Sequence, residues 1–261
     1  TFCFNFIIAR IKNKVINLFM SKKIIPIIMA GGDGKRFKGS THKLLTQIGK
    51  FKTIDYVLNL ANKINKHNFC ITSSHINNYI KEKYPKTNRI LQKKPLGTAH
   101  ALSLVKNKID KTSDIIILYG DMPLLKYSTL KLMINEYYKN NIPLLLYFKS
   151  KKKLDFGIVN LLNNKVTSIV EYKYFSKSDL LKNKYKFKNY NGGVIIINYS
   201  SLKKLINKIK LDKKYNQKLL TDLFNIAYKN NLFFEAFLTK KNQEMIGLNT
   251  KKNYTEIIKQ I

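Results

Sequence analysis

The 261-residue sequence predicts an α/β fold with three layers, in which a mostly parallel mixed sheet lies between two layers of helices. Three observations support this prediction. Short apolar segments alternate with segments of helical periodicity through residue 148, which is typical of strands that are buried on both faces. The first apolar segment runs directly into a glycine-rich turn. No repeat occurs at a period of about 20–50 residues, and no hexapeptide periodicity indicates a β-helix.

The first half of the chain alternates strands and helices. Ile24–Ala30 is continuously apolar and predicts a buried strand. In Thr53–Ile64 the apolar residues recur at helical spacing, and Thr53 is a candidate N-cap. The other elements predicted up to residue 148 are the strands Phe69–Thr72, Arg89–Leu91, Asp114–Tyr119 and Pro143–Phe148, and the helices Ile76–Lys83, one opening near Thr98, and Ser128–Tyr138.

The second half combines a hairpin with further helices. The segments Gly157–Leu161 and Val166–Glu171 flank Asn163 and Asn164, a turn-forming pair, and predict a β-hairpin. The polar, lysine-rich stretch Lys173–Tyr190 predicts a surface excursion. The remaining predicted elements are the strands Gly193–Asn198 and Phe233–Leu238 and the helices Ser201–Lys208, Leu219–Lys229 and Asn253–Ile261.

The net charge of +34 favours attraction to anions but not a specific nucleic-acid site. The lysines are scattered along the chain, and arginine occurs only at Arg10, Arg36 and Arg89. Abundant Asn and Ile accompany the lysines, a pattern typical of mutational bias, so we expect a solvated lysine surface. The two cysteines, Cys3 and Cys70, are too far apart in sequence for a metal-binding pair and fit a reducing, cytoplasmic compartment.

The N-terminal residues 1–19 mix apolar and basic side chains and form an extension of uncertain status. Three interpretations stay open: translated sequence upstream of a start at Met20, which we favour; an amphipathic targeting helix; or a structural extension. Charges at Arg10, Lys12 and Lys14 argue against a cleaved secretory signal. No apolar run reaches the ~18 residues of a membrane span. Residues 20–261 are expected to form one domain.

The turn after the first strand has the composition of a phosphate-binding loop. Two glycines, Gly32 and Gly34, let the backbone come close to a ligand and expose N–H groups to phosphate oxygens. Arg36, in a chain that rarely uses arginine, can hold two phosphate oxygens with its planar fork. The spacing is neither that of a P-loop nor that of a dinucleotide fingerprint. By itself the turn therefore predicts only a bound phosphate.

Several short motifs follow one another along the chain. They are the glycine-rich turn Met29–Phe37 with Lys43, the segment Leu91–Ala101, the turn Tyr119–Leu124, and then Phe156-Gly157, Ile169-Val-Glu171 followed by Lys173, Asn191-Gly-Gly193, Leu220-Thr-Asp222 and Gly247-Leu-Asn249. In this order they resemble the motifs of the sugar-1-phosphate nucleotidyltransferases, and more narrowly those of the bacterial N-acetylglucosamine-1-phosphate uridylyltransferases. Met29–Phe37 with Lys43 is similar to the family's glycine-rich signature, Leu91–Ala101 to its segment for the nucleobase, and Tyr119–Leu124 to its metal-binding turn.

The resemblance implies a Rossmann-like nucleotidyltransferase fold and a role for each matched position. The reaction it implies is Mg²⁺-dependent transfer of UMP from UTP to N-acetylglucosamine 1-phosphate, for cell-envelope and peptidoglycan precursors. The resemblance also divides the domain into a nucleotide-binding part, about residues 20–125, and a sugar-binding part, about residues 126–261. The implied residues are Arg36 and Lys43 for catalysis; Ala30, Gly31, Gly32, Gly34, Gln92, Gly97 and Thr98 for the nucleotide; Gly120, Gly157, Glu171 and Asn191 for the sugar; and Asp121 and Asn249 for Mg²⁺.

Three positions depart from the family pattern. Lys35 stands where Thr is usual, His42 stands where Pro precedes the lysine, and Pro95 replaces a second base-reading Gln in many members. Another sugar phosphate or base, or an inactive sugar-nucleotide-binding module, therefore stays open. The bifunctional members continue into a left-handed β-helix with acetyltransferase activity; these residues carry no hexapeptide periodicity, so we expect no acetyl transfer from them. The oligomeric state is left open.

Overall fold

A computed structural model describes residues 24–34, 37, 41–105, 107–152, 154–175 and 188–261. The predicted extension, residues 1–19, lies outside the described residues, and so does most of the lysine-rich stretch, residues 176–187. Within the described ranges no helix is long and apolar enough to cross a membrane.

The described strands form one nine-stranded sheet and a separate two-stranded ribbon. The order across the large sheet is β5-β4-β1-β6-β10-β7-β11-β9-β8. Its strands are β1 Ile24–Ala30, β4 Phe69–Thr72, β5 Asn88–Leu91, β6 Asp114–Tyr119, β7 Leu144–Lys149, β8 Ile158–Leu162, β9 Lys165–Val170, β10 Asn189–Asn198 and β11 Phe234–Thr239, and the ribbon pairs β2 Gln47–Ile48 with β3 Phe51–Lys52.

The sheet is mixed, as predicted, and most of its strands point in the same direction. Strands β5, β4, β1 and β6 pair in parallel, and β7 pairs in parallel with β11. Strands β10 and β9 run against their neighbours. In register, Ala30 lies beside Thr72, Thr72 beside Leu91, and Met29 beside Tyr119. The loops that follow these strands therefore open at one edge of the sheet.

Helices cover both faces of the sheet and confirm the three-layer arrangement. Alternate residues of β1 enter opposite cores: Ile25 and Ile27 enter one, and Ile24 and Ile28 the other. The first core is closed by α3 Thr98–Ser103, α5 Tyr199–Ile206 and α6 Asp222–Lys229, and the second by α1 Thr53–Ile64, α2 Ser74–Lys83 and α4 Tyr127–Asn140. A small third cluster holds Ile257 of α7 Lys251–Ile258.

The N-cap prediction for Thr53 is wrong. Thr53 is the first residue of α1, and its hydroxyl donates to the Thr46 carbonyl at 3.0 Å instead of capping the helix. Lys52 holds the cap position, and its N–H donates to Asp55 Oδ2 at 3.0 Å. The acidic residue in the first turn supplies the cap interaction that sequence analysis assigned to Thr53.

Two elements begin further from their predicted starts than the others do. Strand β10 begins at Asn189 rather than Gly193, because Asn189 and Tyr190 already pair with β7 before the register shifts. Helix α6 begins at Asp222 rather than Leu219, because the backbone before it bonds to another loop: Lys218 N–H donates to the Leu96 carbonyl at 2.8 Å. The predicted β8–β9 hairpin is confirmed, with Asn163 and Asn164 at φ 47° and 62°.

Candidate functional site

Three residues predicted to act on phosphate and metal meet at the carboxyl edge of the sheet. Lys43 Nζ donates to Asp121 Oδ2 at 2.5 Å and to Asn249 Oδ1 at 2.9 Å. These residues are separated by 78 and 206 positions in sequence. The Lys43 and Asp121 side chains are only 15% and 18% exposed, so the ion pair is largely shielded from water. The fold thus brings one ammonium, one carboxylate and one amide oxygen together.

The Asp121 turn is fixed by the loop that carries Asn249. Leu248 N–H donates to the Asp121 carbonyl at 2.8 Å. A Cβ on Gly247 would lie 3.3 Å from Asn249 Nδ2 and 3.6 Å from Asp121 Cγ. Because a side chain at residue 247 would crowd the Asn249 amide and contact Asp121, glycine there allows the two loops to approach closely.

The two oxygens suit a hard cation. No group of three or more His, Cys, Asp or Glu side chains within the described ranges could hold a metal ion. A site with one carboxylate and one amide does not need such a cluster, because Mg²⁺ keeps several waters and completes its shell with substrate phosphates. Asp121 and Asn249 already direct their oxygens at one cationic nitrogen, and this arrangement fits the predicted pair of ligands.

The glycine-rich turn packs onto its neighbours at two positions. A Cβ on Gly31 would lie 2.1 Å from Gln92 Oε1, and one on Gly34, at φ +66°, would lie 3.2 Å from Lys43 Cγ. At Gly32 a Cβ would meet nothing within 4 Å. The side chain of Ala30 is buried in the core, so only its backbone can face a ligand. Arg36 lies outside the described residues, and its role stays a prediction.

His42, which departs from the family pattern, fastens this turn. Its Nε2 lies 3.0 Å from the Gly32 carbonyl, and its Nδ1 accepts from Leu44 N–H at 3.3 Å. Because the carbonyl can only accept, Nε2 carries the ring proton, and because Nδ1 accepts a hydrogen bond, the ring is neutral. Burial lowers the pKa of His42, which favours this neutral form. His75 stacks on the ring at a centroid distance of 5.5 Å.

The predicted nucleobase residues lie beside Gly31, at the start of α3. Gln92 is 7% exposed, and its Nε2 donates to the Gly97 carbonyl at 3.3 Å. Gly97 takes φ 101°, and a Cβ there would lie 2.4 Å from the Lys218 carbonyl oxygen. Thr98 Oγ1 accepts from Leu220 N–H at 2.9 Å. The segment before α6 therefore holds this loop against the sheet edge.

The predicted sugar residues converge around Gly157. A Cβ on Gly157 would lie 3.6 Å from Glu171 Oε2 and 3.7 Å from the Cβ of Asn191. Asn191 Oδ1 accepts from Gly193 N–H at 2.8 Å. Gly120, which the sequence also places among the sugar residues, packs its Cα against α1, since a Cβ there would lie 2.7 Å from Ile54 Cδ1. A structural reason therefore exists for that glycine.

Two residues without a predicted role form hydrogen bonds with predicted site residues. Thr221 donates its hydroxyl to Glu171 Oε1 at 2.9 Å. The Tyr119 phenol forms a hydrogen bond with Thr98, and burial, followed by the charges of Glu171 and Asp121, raises its pKa. Both residues lie inside motifs that the sequence predicts to be functional, but the motifs do not show their hydrogen-bond partners. The Tyr119 phenol therefore lies near residues predicted for the nucleobase, the sugar and the metal.

Comparison with known proteins gives a consistent result. The family described as Nucleotidyl transferase matches residues 25–231. The chain is 32% identical to the bifunctional protein GlmU of Buchnera aphidicola subsp. Baizongia pistaciae over 227 residues, 85% of this chain and 49% of that protein. It is 32% identical to the bifunctional protein GlmU of Thermodesulfovibrio yellowstonii over 231 residues, 86% of this chain and 49% of that protein.

A solved structure shares the fold. A crystal structure of UDP-glucose pyrophosphorylase with UDP-glucose aligns with a TM-score of 0.69 at 16% identity, covering 91% of this chain and 98% of that chain. The chain spans about half the length of the curated relatives described above.

Proposed function

The chain belongs to the nucleotidyl transferase family, and we propose that this nucleotidyltransferase transfers UMP from UTP to N-acetylglucosamine 1-phosphate and releases pyrophosphate. The observation that carries the proposal is the meeting of Lys43, Asp121 and Asn249 beside the glycine-rich turn. The related bifunctional proteins GlmU support the choice of substrates. A chain that only bound sugar nucleotides would not need a shielded ammonium shared by a carboxylate and an amide.

The reaction asks the protein for alignment and charge neutralisation rather than for a general base. The phosphate oxygen of the sugar 1-phosphate is already anionic and can attack the α-phosphorus of UTP directly. The P–O bond to pyrophosphate breaks as the new bond forms. What slows this reaction in water is repulsion between two anions and their poor alignment.

Asp121 and Asn249 would hold Mg²⁺, which when bound would withdraw charge from the phosphate oxygens. Lys43 would bind the triphosphate and neutralise charge that develops on pyrophosphate. Arg36, from its position in the sequence, would add a bidentate contact to the same phosphates. N–H groups of Gly31, Gly32 and Gly34 would donate to the phosphate oxygens.

The sugar subsite would use the residues around Gly157. Thr221 holds one oxygen of Glu171, so the other oxygen, which lies toward Gly157, would accept a sugar hydroxyl. Asn191 would contact the amino-sugar substituent. The absence of a side chain at residue 157 gives the sugar ring room to approach both groups.

A pyrophosphate-release assay tests the proposal. The protein would be incubated with Mg²⁺ across a grid of four nucleoside triphosphates and several sugar 1-phosphates. We expect release to be fastest with UTP and N-acetylglucosamine 1-phosphate. Faster release with another pair would assign another nucleotidyltransferase reaction. No release from any pair, in protein shown to be folded, would contradict catalysis.

A further inference from the structure

The Gln92 amide is held on one side by two acceptors. Its Nε2 lies 3.3 Å from the Gly97 carbonyl oxygen and 3.1 Å from His100 Nδ1. The carbonyl can only accept, so the amide nitrogen, not the amide oxygen, must face Gly97. The second amide hydrogen then points to His100, whose Nδ1 can accept it.

The opposite side of the amide faces the glycine-rich turn. Gln92 Oε1 fills the place that a Cβ on Gly31 would take, at 2.1 Å from the ideal Cβ position. Both amide hydrogens have protein partners, whereas Oε1 lies at the turn that opens the nucleotide site. The protein therefore directs an acceptor, and not a donor, toward a ligand bound along this turn.

We infer that His100 is a positioning residue for nucleobase choice, which rests on the proposed function. By accepting the second amide hydrogen, His100 acts with the Gly97 carbonyl to prevent rotation of the Gln92 amide and keeps Oε1 toward the base. Uracil carries an N–H at ring position 3, which Oε1 can accept. Cytosine carries a lone pair there, so two acceptors would face each other. The pair Gln92–His100 thus selects uracil, at a site where Pro95 replaces a second base-reading residue.

The geometry also explains why α3 supplies the partner. His100 lies in the first turn of α3, which begins at Thr98 directly after Gly97. Ala99 N–H donates to the Lys218 carbonyl at 2.9 Å, so the helix start is fixed to the segment before α6. Both acceptors of the Gln92 amide are therefore attached to a rigid part of the fold rather than to a free loop.

Two substitutions at residue 100 test the inference. His100→Phe keeps a planar ring but removes the acceptor, whereas His100→Asn places Oδ1 near the position of Nδ1 and can accept the same hydrogen. The kcat/KM values for UTP and CTP would be measured for wild type and both variants by pyrophosphate release. Where His100→Phe is unfolded by thermal melting, His100→Ala replaces it, since it adds no new steric demand.

We expect His100→Phe to lower the UTP-to-CTP ratio of kcat/KM by about tenfold, the cost of about one hydrogen bond. The loss should appear in KM for UTP, with kcat within about threefold of wild type, and His100→Asn should restore the ratio to within about threefold. An equal loss for UTP and CTP, or an unchanged ratio, would overturn the inference while leaving the proposed function intact. A wild-type protein that does not use UTP would overturn the proposed function and the inference with it.

Discussion

Replacing Gly31 with alanine would place a methyl group where the Gln92 amide oxygen lies. The added Cβ would lie 2.1 Å from Oε1 and 3.2 Å from the Gln92 Cβ. Because such carbon–oxygen pairs essentially never approach within 3.0 Å, the amide must move by about 1 Å. Gln92 is buried at the end of β5, so it has little room to move without leaving its hydrogen-bond partners.

The displacement would break the amide's contacts with Gly97 and His100. Loss of one to two partly buried hydrogen bonds costs about 1–3 kcal/mol of unfolding free energy. We also expect the KM for UTP to rise about tenfold or more, because the base-facing acceptor is moved. Chemical denaturation measures the first effect, and pyrophosphate-release kinetics at varied UTP measure the second.

Gly32→Ala is the matched control. It lies one residue further along the same turn, and a Cβ there would meet nothing within 4 Å. Its unfolding free energy should stay within about 0.5 kcal/mol of wild type. If Gly31→Ala is as stable as Gly32→Ala and has the wild-type KM for UTP, then the Gln92 amide oxygen does not lie against Gly31, and the predicted clash is refuted.

Three other predictions concern separate parts of the site. Asp121→Ala should lower turnover on the order of 100-fold or more with an unchanged fold, whereas Asp110→Ala, at an exposed carboxylate, should keep wild-type turnover. A near-normal rate in Asp121→Ala would remove that residue from the mechanism. Gly157→Ala should raise KM for the sugar 1-phosphate and leave KM for UTP unchanged, because a Cβ would lie 2.9 Å from Ile169 Cγ2 and close to Glu171; equal changes in both constants would argue against a separate sugar subsite. Burial lowers the pKa of His42 below its ordinary value of 6.5, so its stabilising contribution is present above that pH and is lost as the pH falls toward the folded-state pKa. His42→Gln removes this titrating group and should therefore lose less stability than wild type between pH 7 and pH 5. Thermal melts of wild type and variant that change in parallel with pH would refute this.

The elements that the sequence predicts best are strands buried on both faces. Ile24–Ala30 and Asp114–Tyr119 have the predicted bounds, because their apolar runs are continuous and end in glycine or polar residues. The sequence places the start of β10 too late, because Gly192 and Gly193 interrupt the apolar pattern. The backbone nevertheless pairs with β7 both before and after these glycines. Local periodicity cannot show pairing that depends on a distant partner strand.

The candidate site likewise contains residues that the sequence predicts and residues that only the structure shows. The ordered motifs identified Lys43, Asp121 and Asn249, and the structure brings their side chains together. The roles of Thr221 and His100 could not be read from sequence, because each depends on one side-chain contact that only the folded chain creates. The role assigned to Arg36 and the division into nucleotide-binding and sugar-binding parts stay predictions.

Transfer of a labelled uridylyl group tests the central claim most directly. The protein would be incubated with Mg²⁺, N-acetylglucosamine 1-phosphate and UTP labelled with ³²P at the α-phosphorus, and the products would be separated by ion-exchange chromatography. If the protein catalyses this transfer, the label moves into UDP-N-acetylglucosamine, in an amount equal to the pyrophosphate released. Label that stays in UTP, or that appears only as UMP, would contradict it.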